Sequence, residues 1–279
     1  MVRKLADFIV FSSIYVAICA VLMIWQTSRL LLGTSPSTHL LGFAFFATMC
    51  SYNFHWYLTP RTASPSRRVQ WTNRHKTLHI VLYLIGAIGA IGYYCYLTKF
   101  TVAIGFAALL TFLYSAPKLP HRLFRGLRRI AIGKTLFLTF VWVYVTAVLP
   151  VITAGAPCNG SFYWYVFSRF LLIYAVCLIF DFRDREDDRS QGIVSMVTVL
   201  NERNIDWLFT ISLILFFISS AALSFYNYSA MDIIFLLIPG AILAALYPKT
   251  KRNYSDYLYY VVLDGIVMLS GLLMVIFRI

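Results

Sequence analysis

Five of the eleven acidic residues of this chain lie in one stretch, Asp181-Phe182-Arg183-Asp184-Arg185-Glu186-Asp187-Asp188-Arg189-Ser190-Gln191-Gly192. An apolar run over residues 170–180 comes directly before it, so we expect the acids to lie where a membrane helix meets water. Asp181, Asp184 and Asp188 are three and four residues apart, which places them on one face of a helix. Carboxylates without His or Cys suit a hard cation such as Mg²⁺, which typically binds one or two carboxylates plus substrate phosphates. The alternative is a solvated helix end whose arginines balance the acids.

The composition indicates an integral membrane protein. Of the 279 residues, 60% are hydrophobic and 13% are charged, whereas soluble domains are usually about 25% charged. A net charge of +13 would suggest nucleic-acid binding in a soluble chain, but membrane orientation explains it here, and we expect no nucleic-acid partner. The five cysteines are scattered without a metal-binding spacing, which argues against a disulfide framework and against a zinc site.

Nine apolar segments are each near the length that a helix needs to span a bilayer. They cover residues 7–26, 38–58, 78–97, 100–116, 131–152, 162–181, 205–224, 230–247 and 256–277. We therefore predict an all-α integral membrane protein with nine transmembrane helices in a single domain, residues 1–279. Polar, basic loops after the second and sixth helices suggest pseudo-repeat halves, roughly 1–117 and 131–247, followed by a ninth helix over 256–277.

Basic residues predict the orientation of the chain. Most of the 24 lysines and arginines fall in alternate loops, on the same side as the N-terminus. The positive-inside rule then places the N-terminus and the acidic stretch in the cytoplasm. We expect the protein to reside in a bacterial cytoplasmic (inner) membrane.

The pattern Asp181-x-x-Asp184-x-x-x-Asp188-x-x-x-Gly192 resembles the second aspartate-rich motif of the UbiA superfamily of intramembrane prenyltransferases. Tyr114-Ser115-Ala116-Pro117-Lys118 is similar to the Tyr…Lys signature of that family. The resemblance implies a helical ring around a central cavity that opens sideways to lipid. It also implies that Mg²⁺, held by Asp181, Asp184 and Asp188 as catalytic and metal-binding residues, positions an isoprenoid diphosphate. Ionisation of that substrate would give an allylic cation, which alkylates a lipophilic acceptor such as an aromatic ring.

The first aspartate-rich motif of the family is degenerate in this chain. The family pattern is Asn-Asp-x-x-Asp-x-x-x-Asp, and this chain reads Asn53-Phe54-His55-Trp56-Tyr57-Leu58-Thr59-Pro60-Arg61. Phe54, Tyr57 and Arg61 replace the three aspartates, which argues against a second Mg²⁺ at this wall. Basic residues that follow, among them Arg67, Arg68 and Lys76, are candidates to bind the diphosphate instead, since arginine suits bidentate phosphate contacts.

Other polar residues near the apolar segments are candidate substrate-binding residues. Tyr114 and Lys118 suit a phosphate contact, or else are an interfacial tyrosine and an orientation-setting lysine. Asn53 suits a phosphate or ion contact, or else a bridge between two helices. Asp264 and Arg169 lie inside predicted helices, where a charge normally faces a cavity or a partner, and Asp264 is the better cavity-lining candidate.

Three functions are compatible with these features. The first is a UbiA-like prenyltransferase that uses Mg²⁺, an isoprenoid diphosphate and a lipophilic acceptor in the bilayer. The second is a non-catalytic isoprenoid- or lipid-binding relative, suggested by the degenerate first motif. The third is a small-solute transporter, which nine helices and intramembrane charges would permit but which usually shows Gly- or Pro-broken helices in pairs.

Overall fold

A computed structural model describes residues 2–59, 66–116, 133–190 and 195–277. Within these ranges the regular structure is entirely helical. The helices are α1 (Val2–Phe11), α2 (Ile14–Leu32), α3 (Thr38–Leu58), α4 (Arg67–Arg74), α5 (Lys76–Tyr94), α6 (Thr101–Ser115), α7 (Lys134–Ala154), α8 (Gly160–Ser190), α9 (Met196–Val199), α10 (Glu202–Ala221), α11 (Ala230–Thr250) and α12 (Leu258–Phe277).

The long helices form a closed ring. Going round it, α2 contacts α3, then come α6, α7, α8, α10, α11 and α12, and α12 contacts α2 again. Helix α5 packs along α3. Helix α8 is the most enclosed, because residues 171–179 are buried without interruption and therefore on every side of the helix. This ring is the architecture that the family resemblance of the acidic motif implied.

Eight helices in the described part of the chain are long and apolar enough to cross a membrane. They match eight of the nine predicted segments in order. The remaining predicted span corresponds to α3, a 21-residue helix that is less apolar because it carries residues such as Ser51, Asn53 and His55. The count of nine spans, the cytoplasmic N-terminus and the pseudo-repeat halves stay predictions.

Two departures from regular transmembrane helices shape the end of the bundle that carries Asp181, here called the acidic end. Helix α8 does not end with its apolar run but continues to Ser190, so the acidic residues stand on helix and not on a loop. Helix α12 begins with a π-helical segment, Leu258–Leu263, directly before Asp264. Its Val261 carbonyl accepts a hydrogen bond of 2.9 Å from the Tyr15 hydroxyl, which compensates for the wider turn.

Short helix α4 is held against the acidic end by its N-terminus. The Ser66 hydroxyl accepts a hydrogen bond from the Val69 amide as the N-cap and itself donates to Asp256. The Arg68 amide donates to the same carboxylate at 3.0 Å. The segment after the degenerate first motif is therefore fixed to the chain that leads into α12.

Candidate functional site

Two of the three predicted metal ligands converge on a single ammonium group. Asp181 and Asp188 are both buried on α8, two helical turns apart. Lys134, the first residue of α7, places its Nζ 3.8 Å from Asp181 Oδ1 and 3.9 Å from Asp188 Oδ2. The Thr135 hydroxyl donates a hydrogen bond to Asp181. The two carboxylates therefore share one cation and face inward.

The third predicted ligand, Asp184, has a different partner. Its Oδ1 accepts a 2.8 Å hydrogen bond from Arg183 Nε, and its side chain is 42% exposed. Arg183 is mostly buried, donates to the Tyr260 hydroxyl at 2.9 Å and lies 4.0 Å from Asp256. The structure therefore separates Asp184 from Asp181 and Asp188, and its role as a metal ligand stays a prediction.

Arg68 lies on the opposite wall, on α4. It is 3% exposed, it donates to the Val10 carbonyl at 2.8 Å, and its guanidinium carbon lies 4.3 Å from the Trp56 ring centroid and 5.2 Å from that of Tyr260. Burial lowers the pKa of Arg68 to about 10, so the side chain remains protonated at neutral pH. Tyr260 thus joins the two walls, because it contacts both Arg68 and Arg183.

Several polar side chains between these walls are enclosed by the bundle but not fully inaccessible. Five side chains are deep within the bundle and still keep partial accessibility, a combination that indicates residues lining an enclosed space. They are Tyr52, Tyr114, Lys134, Tyr260 and Asp264. Asp264 interacts electrostatically with Arg68 and Arg183 from the inner side. That Asp264 lines a substrate cavity stays a prediction.

Tyr114 also faces this space. Its ring stacks on His55 with 5.2 Å between centroids, and it interacts electrostatically with Lys134 and Asp181. The other half of the predicted Tyr…Lys signature, Lys118, lies outside the described residues, as do Arg61 and Gly192.

Asn53 forms a bridge between helices, which is one of the two alternatives that the sequence allowed. It is fully buried, and its Nδ2 donates to the carbonyls of Ser12 at 2.9 Å and Met49 at 2.8 Å. Its Oδ1 lies 2.7 Å from His79 Nδ1. The side chain thereby ties α3 to α5 and to the junction of α1 with α2. A substrate contact by Asn53 stays a prediction.

Arg67 and Lys76 also have partners within the protein. Arg67 forms a bidentate ion pair with Asp7, which also accepts a hydrogen bond from Tyr257. Burial opposes ionisation of Asp7, but these hydrogen bonds outweigh it and hold the pKa of Asp7 below its usual 3.8. Lys76 donates to three carbonyls at the end of α3, those of Trp56, Tyr57 and Thr59. Both residues support α4 and α5 around the site, and diphosphate binding by either stays a prediction.

The sequence did not identify three residues of this site: Lys134, Arg183 and Tyr260. Lys134 carried a weak signal, since it is the last charge before an apolar span, but it was counted as an orientation-setting residue. Arg183 was likewise counted only among the basic residues that set the orientation of the chain. Nothing in the sequence pairs Lys134 with Asp181 or Arg183 with Tyr260, because these contacts join residues that lie 47 and 77 positions apart.

The described residues offer two carboxylates, not three, to a cation. No group of three His, Cys, Asp or Glu side chains that could hold a metal ion occurs among them. The protein's own ammonium group, however, already stands between Asp181 and Asp188. Because Mg²⁺ commonly uses one or two carboxylates and completes its shell with phosphate oxygens and water, this pair suits one Mg²⁺ that arrives with a diphosphate.

Comparisons with known proteins agree with this architecture. No family model matches the sequence, and no curated protein matches it. Among solved structures, the chain is similar to the apo structure of a UbiA homolog from Aeropyrum pernix K1, with a TM-score of 0.60 and 16% sequence identity. The alignment covers 96% of this chain and 97% of that one. The chain therefore is an integral, multi-pass membrane protein with the UbiA fold, and the resemblance stated from the acidic motif is confirmed at the level of the fold.

Proposed function

We propose that this protein is a UbiA-like prenyltransferase, which transfers a prenyl group from an isoprenoid diphosphate to a lipophilic acceptor within the bilayer. One observation carries the proposal: Asp181 and Asp188, both buried, converge on one cation within a helical ring of this fold. A solvated helix end would leave these acids exposed, whereas both are buried.

The charges in this part of the ring suit a diphosphate. In the proposal, Asp181 and Asp188 hold one Mg²⁺, whose chemistry when bound is to neutralise the negative charge that develops on the leaving diphosphate. Arg183 and Arg68 supply guanidinium groups from two walls, a geometry suited to phosphate oxygens. While the substrate is absent, Lys134 neutralises Asp181 and Asp188. When a divalent ion takes its place between them, the Lys134 ammonium group can bind a phosphate oxygen instead. Arg68 and Arg183 would neutralise part of the diphosphate charge, a role that the first aspartate-rich motif has in family members that keep it.

The reaction breaks the bond between the allylic carbon and the diphosphate oxygen, and the electron pair leaves on that oxygen. The acceptor carbon then forms a bond to the allylic cation and loses a proton. Tyr52, Tyr114 and Tyr260 line the space where the cation would form, and aromatic faces stabilise a nearby cation. The enclosed position of these rings also limits the access of water, which would otherwise capture the cation.

The test is a transfer assay with purified protein in lipid nanodiscs. Radiolabelled prenyl diphosphates of several chain lengths are incubated with Mg²⁺ and a panel of lipophilic aromatic acceptors, and both released diphosphate and prenylated product are measured. We expect release and product that depend on the divalent ion. If a folded sample releases no diphosphate from any prenyl donor, the proposal is wrong.

A non-catalytic isoprenoid-binding relative is the second candidate, favoured by one observation. Asn53, which matches the family at the first motif, has both amide hydrogens on backbone carbonyls and its oxygen on His79. Phe54 and Tyr57 provide no carboxylate at this wall. This candidate predicts saturable binding of a non-hydrolysable prenyl diphosphate analogue without release of diphosphate from the natural donor, so the assay above separates the two.

A further inference from the structure

A second buried cation lies in the first third of α8, far from the site described above. Arg169 precedes Asp181 by twelve residues, which is about 18 Å along a helix. The side chain is 2% exposed. Its Nη1 donates to the Ser270 hydroxyl of α12 at 3.1 Å, and its guanidinium carbon lies 5.5 Å from the Tyr165 ring centroid and 5.6 Å from that of Phe216. These contacts hold the guanidinium but leave most of its donors unused.

The surrounding cluster has more hydrogen-bond donors than acceptors. Within the described residues, Arg169 Nε and Nη2 are buried without an acceptor. Ser270 passes its own hydrogen to Gln26 Oε1 at 3.0 Å, and Gln26 Nε2 is likewise buried without an acceptor. The unsatisfied groups are therefore all N–H groups, on two side chains linked through Ser270. A buried donor without an acceptor is costly, so this arrangement requires a ligand that accepts hydrogen bonds.

The charge of Arg169 is also uncompensated by protein. None of the ion pairs in the described part of the chain includes it, and its electrostatic partner is the Tyr165 phenol. Charged side chains at membrane depth are usually paired, because an isolated charge there is unfavourable. Within the acidic end, by contrast, every buried cation of the site interacts with an acid.

We propose that Arg169, Gln26 and Ser270 form a binding site for a small inorganic anion of the halide class, enclosed between α2, α8 and α12. An anion accepts hydrogen bonds and brings none of its own, so it matches the unused N–H groups. A water molecule would add two O–H groups that themselves need acceptors. All three side chains are at most 2% exposed, so an ion can bind only if they move apart, and a monatomic ion requires the smallest movement.

The cavity nearest to this cluster along α2 and α8 lies at the end of the bundle opposite the acids. A cavity of about 380 Å³ opens there between the ends of α2, α7 and α8, lined in part by Leu31, Val151 and Phe162. Leu31 is one turn from Thr27 on α2, and Phe162 is one turn from Tyr165 on α8. The hydroxyls of Thr27 and Tyr165 are 3.0 Å apart, so a polar pair lies between this cavity and Arg169.

The first experiment measures thermal unfolding of the purified protein in chloride and in gluconate at equal ionic strength. We expect chloride to raise the Tm by about 5 °C when its concentration is about 100 times Kd. Arg169→Met should abolish the difference between the two salts. The matched control is Arg29→Met, which removes an exposed arginine of α2 that stacks on Trp25, and it should keep the difference. Equal Tm values in both salts for the wild-type protein would overturn the proposal.

A second experiment locates the ion directly. Crystals grown in bromide should show an anomalous scattering peak within hydrogen-bond distance of Arg169 and Gln26. Gln26→Leu serves as a second variant in case Arg169→Met does not fold, and it should weaken halide stabilisation several-fold. A structure that shows ordered water and no bromide at this place, or an unchanged halide effect in Gln26→Leu, would contradict the assignment.

Discussion

Lys134 and Arg169 are both cations enclosed by the bundle, and they are neutralised in opposite ways. Lys134, at the acidic end, lies within 4 Å of two carboxylates. Arg169, toward the other end, has no carboxylate partner in the described chain and relies on a hydroxyl and two aromatic rings. The reason lies in the distribution of acids, since no Asp or Glu occurs between Asp7 and Asp181. A protein with few acids, concentrated at one end, can pair its buried cations only there.

This difference separates two kinds of intramembrane charge. Paired charges at the acidic end form a site that can exchange one cation for another, which suits a substrate that arrives with Mg²⁺. The guanidinium of Arg169 can only gain a ligand, because no carboxylate among the described residues competes for it. The same substitution, a cation replaced by methionine, should therefore have opposite consequences at the two places.

The largest expected effect is on catalysis, at the acidic end. Asp181→Asn removes a carboxylate from the proposed Mg²⁺ site, and we expect diphosphate release to fall by at least about 100-fold. The control is Glu186→Gln on the same helix, because Glu186 is 81% exposed and pairs with Arg189 alone among the described ion pairs. Asp184→Asn tests the third predicted ligand separately, since Asp184 must leave Arg183 to reach the ion. Release at the wild-type rate in Asp181→Asn would remove the metal role.

The second largest effect is expected on stability, again at the acidic end. Lys134→Met leaves Asp181 and Asp188 buried without their cation, and we expect a loss of about 2–3 kcal/mol, less than for a wholly buried pair because Lys134 is 34% exposed. Mg²⁺ should restore more of the lost Tm in this variant than it adds to the wild-type protein, as calorimetry can show. If Mg²⁺ has the same effect on both proteins, the two carboxylates do not form a cation site.

A smaller effect of opposite sign is expected at Arg169, the cation without a carboxylate partner in the described chain. In chloride-free buffer, Arg169→Met replaces an uncompensated buried charge with an apolar side chain of similar length, so stability should stay unchanged or rise by about 1 kcal/mol. Thermal unfolding in gluconate measures this. A loss comparable to that of Lys134→Met would show that Arg169 is compensated within the protein, and the contrast between the two ends would disappear.

The smallest effect concerns a charge pair outside the spans. Asp7→Asn breaks the pair with Arg67, which is 39% exposed, so the Tm should fall by no more than about 3 °C at pH 7. Because the folded-state pKa of Asp7 lies below its usual 3.8, the stabilisation is complete above that value and is lost as the pH falls through the folded-state pKa. The wild-type protein and the variant should therefore converge in Tm only when the pH falls below the folded-state pKa of Asp7, which itself lies below 3.8. A difference that persists in acid would point to packing and not to charge.

The sequence predicted the helical class, the order of the spans and the helical placement of the acids. Runs of about 20 apolar residues have few alternatives to a membrane helix, and spacings of three, four and seven residues place side chains on one face of any helix. The same reasoning marked Asp264 and Arg169 as charges that require a cavity or a partner. These results depend on properties of neighbouring residues along the chain, which a sequence displays directly.

Partners across the ring were beyond such reasoning. The sequence shows that Asn53, Lys76 and Arg67 are polar and near the site, but their hydrogen bonds to α1, α3 and α5 depend on how the helices meet. Likewise, the helix over Asp181, Asp184 and Asp188 was predicted correctly, while the division of these acids between Lys134 and Arg183 was not. A difference of a few ångströms in helix position decides such contacts, and local periodicity carries no information about it.

By itself, the amino-acid sequence determined that this chain crosses the membrane as a helical bundle and concentrates its acids at one end, because hydropathy and helical period are local properties. Only the tertiary structure decided which cation faces which acid, and that Arg169 faces no acid in the described part of the chain. Pairing of buried charges depends on distances between helices far apart in sequence, and those distances are set by the packing of the whole ring.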